Sequence, residues 1–314
     1  MKRYVIKRLL AIVPVVLVIS IITFLLINLA PGDPVELKLN SQGIAFNKDT
    51  ADALRKEMGL NYPIHIQYIN WLKKAICFDL GNSFKTGMPV LNELLYRLTF
   101  TIKLASYALI IAIFISIPLG IISALYKNTI IDHFIRFFVL TGITIPDFCL
   151  GLLLLYLFSV KMKIFSIVGG NGFRNVILPA FTLAFGIIAQ YTRILRATML
   201  EVLNEDFIKV ARAKGLKRRW FISRYALKNS LIPMITILGT SIGQLLAGSV
   251  IVETIFSWPG IGKFVIDAIS NRDYPVIQGF VIFMSVIFVI INLLVDISYA
   301  FIDPRVLGGN KNDS

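Results

Sequence analysis

Residues 204–233 read NEDFIKVARAKGLKRRWFISRYALKNSLIP, the one long, strongly basic run that lies between two segments apolar enough to cross a membrane. Asn204 is a good N-cap, Glu205 and Asp206 fall where a helix N-terminus favours negative charge, and Phe207, Ile208 and Ala211 recur at helical spacing. A short amphipathic helix is expected there. Gly215 can take the left-handed conformation that ends it, and Leu216 to Asn229 would restart as a second helix with Trp220, Phe221, Tyr225 and Leu227 as its apolar content.

Eight Lys or Arg fall between Lys209 and Lys228, a patch that a nucleic-acid reader would need. Loops kept in the cytoplasm are enriched in Lys and Arg whatever else they do, and orientation is the stronger explanation of the charge. It does not explain the apolar content of a water-facing loop. Phe207, Ile208, Val210 and Trp220 need a surface to cover them, either the chain's own helices or the groove of another protein.

Ala211-Arg212-Ala213-Lys214-Gly215-Leu216, followed by Asn229-Ser230-Leu231-Ile232-Pro233, resembles the cytoplasmic loop of permease subunits in bacterial ABC importers, in the dipeptide, oligopeptide and nickel branch. Glu253 to Gly262 (ETIFSWPGIG), Asn271 to Gln278 (NRDYPVIQ) and Asp303-Pro304-Arg305 resemble later signatures of the same branch, in the expected order, so the resemblance spans Met1 to about Arg305. The general importer loop opens with Glu-Ala-Ala six residues before its glycine. Here those places hold Lys209, Val210 and Ala211, and the loop is therefore specific only in combination with the other motifs.

Composition sets the class independently. The 314 residues are 56% hydrophobic and 16% charged, with a mean hydropathy of +0.76 and apolar runs too long for a water-soluble core. This composition is that of a multi-pass membrane protein, and the net charge of +14 argues for anionic lipid surfaces and topology before an acidic substrate. Cys77 and Cys149 lie far apart without a CxxC, and with two histidines the chain indicates neither a disulfide framework nor a zinc site.

Lys2, Arg3, Lys7 and Arg8 precede the apolar run Leu9 to Ala30, which is longer than a signal-peptide core and is followed directly by Pro31. It reads as a retained first span, N-terminus inside, with Pro14 tolerated within it. Pro31-Gly32-Asp33-Pro34 is turn chemistry, and the polar segment from there to Leu98 contains eight basic and seven acidic residues, a near balance that suits an outer segment. Helices are expected over Thr50 to Met58, stopped by Gly59, and over Ile64 to Ile76, with Ile64, Tyr68, Trp71, Leu72 and Ala75 along one side. This segment either receives a substrate-binding protein or packs over the outer ends of the spans.

Five further spans are expected at Leu104 to Leu125, Phe137 to Val160, Val176 to Leu195, Leu231 to Val252 and Pro275 to Ala300, each near the roughly 20 residues a bilayer requires. The count of six puts the basic hairpin and both termini in the cytoplasm. The expected organisation is a first helix over 1–30, an extracytoplasmic segment over 31–98, a five-helix core over 99–305 containing the hairpin at 204–230, and a tail over 306–314.

Gly239, Gly243 and Ala247 are spaced by four, so one helix face permits close approach, either to this chain's own helices or along a pathway wall. Among span-end charges, Asp147 comes directly after Pro146 in the third span, Asp296 is read as a structural cap or ion pair, and Glu253, near the outer mouth, could attract a peptide ammonium or a metal cation. Trp258, in the turn after it, joins the gate candidates.

There is no G-x-x-x-x-G-K-[ST] or HExxH, so the chain shows no phosphate cradle or zinc-protease motif of its own. A polytopic membrane enzyme, the rival from another class, has no active-site dyad to support it. The expected fold is all-α, six-span, with the type I ABC importer architecture that the resemblance implies. The resemblance also implies that this chain binds no cofactor, that ATP and Mg are held by two cytoplasmic ATPase subunits, and that the path lies between this chain and a second, similar permease fed by an extracytoplasmic binding protein, with no nucleic acid involved. The residues that would couple to the ATPase are Phe207, Ile208, Ala211, Ala213, Gly215 and Leu216. Asn271 to Gln278 and Ile177-Leu178-Pro179 lean the resemblance toward nickel, free or chelated, over dipeptide or oligopeptide cargo, and specificity is expected to reside mainly in the binding protein.

Overall fold

The computed structural model describes residues 2–29, 33–41, 47–165, 173–215 and 222–302. Within them the chain is helical and falls into two compact units, one of residues 1–100 with 260–294, the other of 101–259 with 295–314. This grouping places most of the last span with the N-terminal segments, across the boundary at residue 98 drawn from the sequence.

The first unit begins with α1 (Lys2–Leu29), whose Phe24 packs against Tyr68 and Trp71 of α4 (Ile64–Ile76) at ring-centroid distances of 5.4 and 5.8 Å. Ser20 Oγ lies 2.7 Å from the Tyr68 hydroxyl, which gives a hydroxyl on an apolar helix the partner it needs. Tyr68, Trp71, Leu72 and Ala75 form the half-buried side expected of α4, whereas Ile64, at its first turn, stays exposed. Between them, α2 (Pro34–Ser41) and α3 (Lys48–Glu57) enclose a small core of Val35, Leu39 and Ala51, and Arg55 pairs with Asp33. Asn47 caps α3 through the Asp49 amide, and Gly59 at φ +70° ends the turn beyond it.

The same unit holds the first turns of α5 (Val90–Leu125), all of α11 (Ile261–Ser270) and most of α12 (Tyr274–Ile302). Leu80, Val90, Leu94, Ile261, Phe264, Ala268 and Val276 make its core. Asp273 closes it: the buried carboxylate accepts from Ser83 Oγ at 2.5 Å and from the Phe84 and Lys85 amides at 3.0 and 3.3 Å. A buried acid is stable only with such partners. The Asn271 to Gln278 signature thus has a structural reason in a loop it pins from 188 to 190 residues away.

In the second unit α8 (Phe173–Asn204) is the central helix, packed by α6 (Ile130–Thr144), α7 (Asp147–Leu154) and α10 (Leu227–Ile255). Small residues set these approaches. A Cβ on Gly142 would stand 2.7 Å from the Ala189 side chain, one on Gly120 2.9 Å from Leu195, and one on Gly239 would overlap Val295 of α12.

Two expectations about the spans are corrected. The third span is not one helix: α6 ends at Thr144 and α7 restarts at Asp147, turning by 106° before a π-helical stretch over Leu155–Lys161. Pro146 removes a donor and disfavours helical backbone at Ile145, which is extended at ψ 122°. The second hairpin helix, in turn, is not separate from the fifth span, because a π-helical turn over Ile222–Ala226 runs directly into α10. Pro233 removes only one amide from that ladder, and apolar surroundings favour keeping the rest paired. Among the described residues, three helices (α5, α8 and α12) are long and apolar enough to span a membrane, and counting each bent pair as one span raises this to five, with Pro14–Leu29 a shorter apolar helix.

Candidate coupling hairpin and span-end residues

The short helix of the basic run is α9, Asp206–Ala213. Its start differs from expectation: Asn204 is the last residue of α8, its side-chain amide donating to the Leu200 carbonyl at 2.9 Å, and the Glu205 carbonyl accepts the first α9 amides from Ile208 and Lys209. α9 therefore starts one residue later than an Asn204 cap would give. Asp206 still occupies the first turn and pairs with Lys209 at 2.7 Å in the open. Gly215 comes next at φ +71°, with nothing within 4 Å of where its Cβ would be.

The expected apolar pair divides at α9. Ile208 is fully buried in the chain's own core with Ala124 of α5, Leu195 and Met199 of α8 and Ala226, so it is unavailable to a partner's groove. Phe207 and Val210 point away, 43% and 52% exposed. The hairpin therefore has an inner anchor and an outer apolar face, as period 3.6 requires of residues one apart. Ala213 is exposed, the Ala211 side chain is not described, and Leu216 and Trp220 lie outside the described residues.

A neighbouring polar cluster was not anticipated. Asp132, in the first turn of α6, is fully buried and accepts Nε and Nη2 of Arg196 of α8 at 2.8 Å each, Ser123 Oγ of α5 at 2.5 Å and the Asn128 amide at 3.0 Å. Arg136 stands 3.7 Å away. This fork ties the α5–α6 turn to the part of α8 that carries Ile208's core, three turns from the hairpin. Asn128, at φ +63°, is a local trace of the turn in the sequence, but the Arg196 partner lies 64 residues away and leaves no local pattern.

The pathway and gate candidates have separate surroundings. Gly239 packs against this chain's own Val295, Gly243 is buried, and the Ala247 side chain is not described. Glu253 is fully buried and accepts Thr101 Oγ1 at 2.7 Å, and Trp258 is buried with its amide on the Glu253 carbonyl at 2.8 Å. Glu253, the candidate for attracting a cation near the outer mouth, thus has its carboxylate on a hydroxyl within the fold, and Ser257, left-handed at φ +49°, leads into Trp258. Asp296 falls among the side chains that are not described. Among the described residues no three His, Cys, Asp or Glu side chains converge as a metal site would require.

Gly215 provides a direct check on the hairpin. Gly215→Val introduces a β-branched residue at positive φ, which costs about 1 kcal/mol or more and displaces the chain beyond α9. The expected result is normal membrane insertion with faster proteolysis between residues 207 and 230, whereas Gly215→Asn, tolerant of that conformation, stays close to wild type.

Known proteins share both the sequence and this helical arrangement. The profile of the family described as binding-protein-dependent transport system inner membrane component matches residues 116–308, and that of its N-terminal region matches residues 1–105. The glutathione transport system permease protein GsiC of Escherichia coli O6:H1 (strain CFT073) is 36% identical over 98% of this chain and 99% of its own length, and so is that of Salmonella typhimurium. In fold, the chain resembles the MetNI methionine ABC transporter solved in inward-facing conformations, with a TM-score of 0.54 at 15% identity over 67% of this chain and 96% of that one.

Proposed function

We propose, from the premise that this chain belongs to the family of binding-protein-dependent transport system inner membrane components, that it is one of two permease subunits of an ATP-driven importer whose cargo is a short peptide or peptide-like molecule. As a family member it is an all-α, multi-pass inner-membrane transport subunit that works with a separate ATPase and a binding protein. The observation that carries the peptide reading is whole-chain similarity to permeases of a transport system for glutathione, a modified tripeptide. Asp273, within the Asn271 to Gln278 stretch that leaned the resemblance toward nickel, is held by hydrogen bonds inside the fold.

In this reading α9 is the docking element. Phe207 and Val210 enter a groove of the ATPase on the cytoplasmic side, while Ile208 fixes α9 rigidly to α5, α8 and the start of α10. When the two ATPases close, α9 moves with them and carries those helices. The path between the two permeases then opens toward the binding protein, alternating access by rigid-body motion. Phosphate chemistry stays on the ATPase, and this chain converts its closure into tilt.

The test uses the purified complex in proteoliposomes with its binding protein. Binding protein loaded with glutathione or another short peptide is expected to stimulate ATP hydrolysis several-fold over the empty protein, and nickel alone is not. Stimulation by nickel with none by peptides would overturn the peptide reading.

A further inference from the structure

The bend between α6 and α7 opens a polar cleft that neither the hairpin nor the family assignment accounts for. Gly142, Ile145, Pro146, Asp147, Gly186, Gln190 and Arg193 line about 370 Å³ of it. An adjoining hollow of about 220 Å³ shares Asp147, Gly186 and Gln190 and adds Gln244 and Gly248 of α10. The larger of the two lies within the range of small-molecule sites.

All these residues lie within helices, or the break of a bent helix pair, whose length and composition suit a membrane span. Asp147, Arg193 and Gln244 are nevertheless exposed on this chain, and among the described residues neither they nor Gln190 has a hydrogen-bond or ion-pair partner. Two opposite charges, two amides and a broken helix at membrane depth are stable where water, a molecule carried in water or another protein meets them, and are costly against lipid.

The two charges share the cleft without pairing with each other, which leaves a positive and a negative end with room between. A Cβ on Gly186 would sit in ordinary contact, 3.8 Å from Asp147 Oδ1, and one on Gly248 would meet nothing within 4 Å, so both positions admit a small side chain beside the cleft.

We infer that this cleft is the chain's contribution to the cargo path and that it takes a zwitterion, Asp147 receiving the ammonium end of a peptide and Arg193 its carboxylate, with Gln190 and Gln244 bonding the amides between. The inference rests on the peptide reading for the identity of the cargo. It does not rest on it for the aqueous, charge-divided character of the cleft.

The experiment places a single cysteine at Gly186 in a Cys77→Ser, Cys149→Ser background of the full complex in proteoliposomes, with Gly248→Cys as a second reporter should the first fail to assemble. Both are expected to react with water-soluble methanethiosulfonates, and a short zwitterionic peptide on its binding protein slows the reaction during ATP turnover. Adding Asp147→Asn lowers the rate with an ammonium-bearing reagent relative to a sulfonate-bearing one by about fivefold, as loss of one nearby opposite charge predicts. Arg193→Gln shifts the ratio the other way. Asp147→Asn raises the KM for transported peptide while assembly is unchanged.

Reporters that assemble but do not react mean that lipid or the partner permease covers the face, and overturn the inference even if peptides stimulate the wild-type complex. Unchanged reagent ratios in both charge variants overturn it as well. Reactive, charge-dependent reporters in a complex that nickel stimulates and peptides do not would leave the aqueous cleft standing and overturn the peptide cargo.

Discussion

Phe207→Ala is expected to weaken attachment of the partner ATPase more than tenfold and to uncouple cargo from ATP hydrolysis, with the chain still inserted and folded. Phe207 is 43% exposed on α9, beside Val210 at 52%, so much of the ring is open to a partner. Burying the ring in a partner's groove contributes roughly 2 kcal/mol, and each 1.4 kcal/mol is a factor of ten in affinity. Val210→Ala removes less area and has a smaller effect in the same direction. Lys209→Gln is the control, because the Lys209–Asp206 pair is solvated on both sides and contributes little. The measurement is co-purification of the ATPase together with substrate-stimulated hydrolysis. If Phe207→Ala keeps wild-type coupling while Lys209→Gln and Lys214→Gln lose it, docking is electrostatic and the apolar account is wrong.

Ile208 requires the opposite treatment despite standing next in the sequence. It fills the core between α5, α8 and the start of α10, so truncating it loosens α9 from the spans without touching the partner surface. The two residues separate docking from transmission, which a scan of the loop by alanine alone would merge.

The largest effect on stability is expected at Arg196. Arg196→Met leaves the Asp132 carboxylate buried without its bidentate partner, and breaking a buried pair from one side costs about 3–5 kcal/mol. The lower figure applies here because Ser123 and the Asn128 amide still donate and Arg136 is within 3.7 Å. Thermal stability of the detergent-solubilised chain should fall by several degrees. Adding Asp132→Asn removes the uncompensated charge and should recover part of the loss, since an amide in that place can still accept from Ser123. A double variant no more stable than the single would show that packing of the Arg196 stem, and not the charge, maintains the turn.

Local signals in the sequence were enough for the membrane class, the short helix of the basic run, the left-handed Gly215 and the stop at Gly59, because each depends on composition or on neighbours a few residues apart. Apolar runs of bilayer length admit few structures other than helices, and glycine after a periodic segment has one common use. The family motifs, too, are contiguous strings and needed no fold to be read.

Tertiary packing was needed wherever the outcome depends on which way a side chain turns. Phe207 and Ile208 are equivalent as apolar residues on a short helix, and only the position of α8 and Ala226 sends one inward and leaves the other out. Glu253 and Asp147 both read as span-end carboxylates. Packing buries the first on Thr101, while the 106° break at Pro146 leaves the second open in a cleft with Arg193. Asp132 and Arg196 are 64 residues apart, and Asp273 meets Ser83 across 190. Hydrophobic periodicity specifies a helix and its apolar face, but the partner of a buried charge is chosen by helices that meet only when the chain has folded, and no local pattern encodes that meeting.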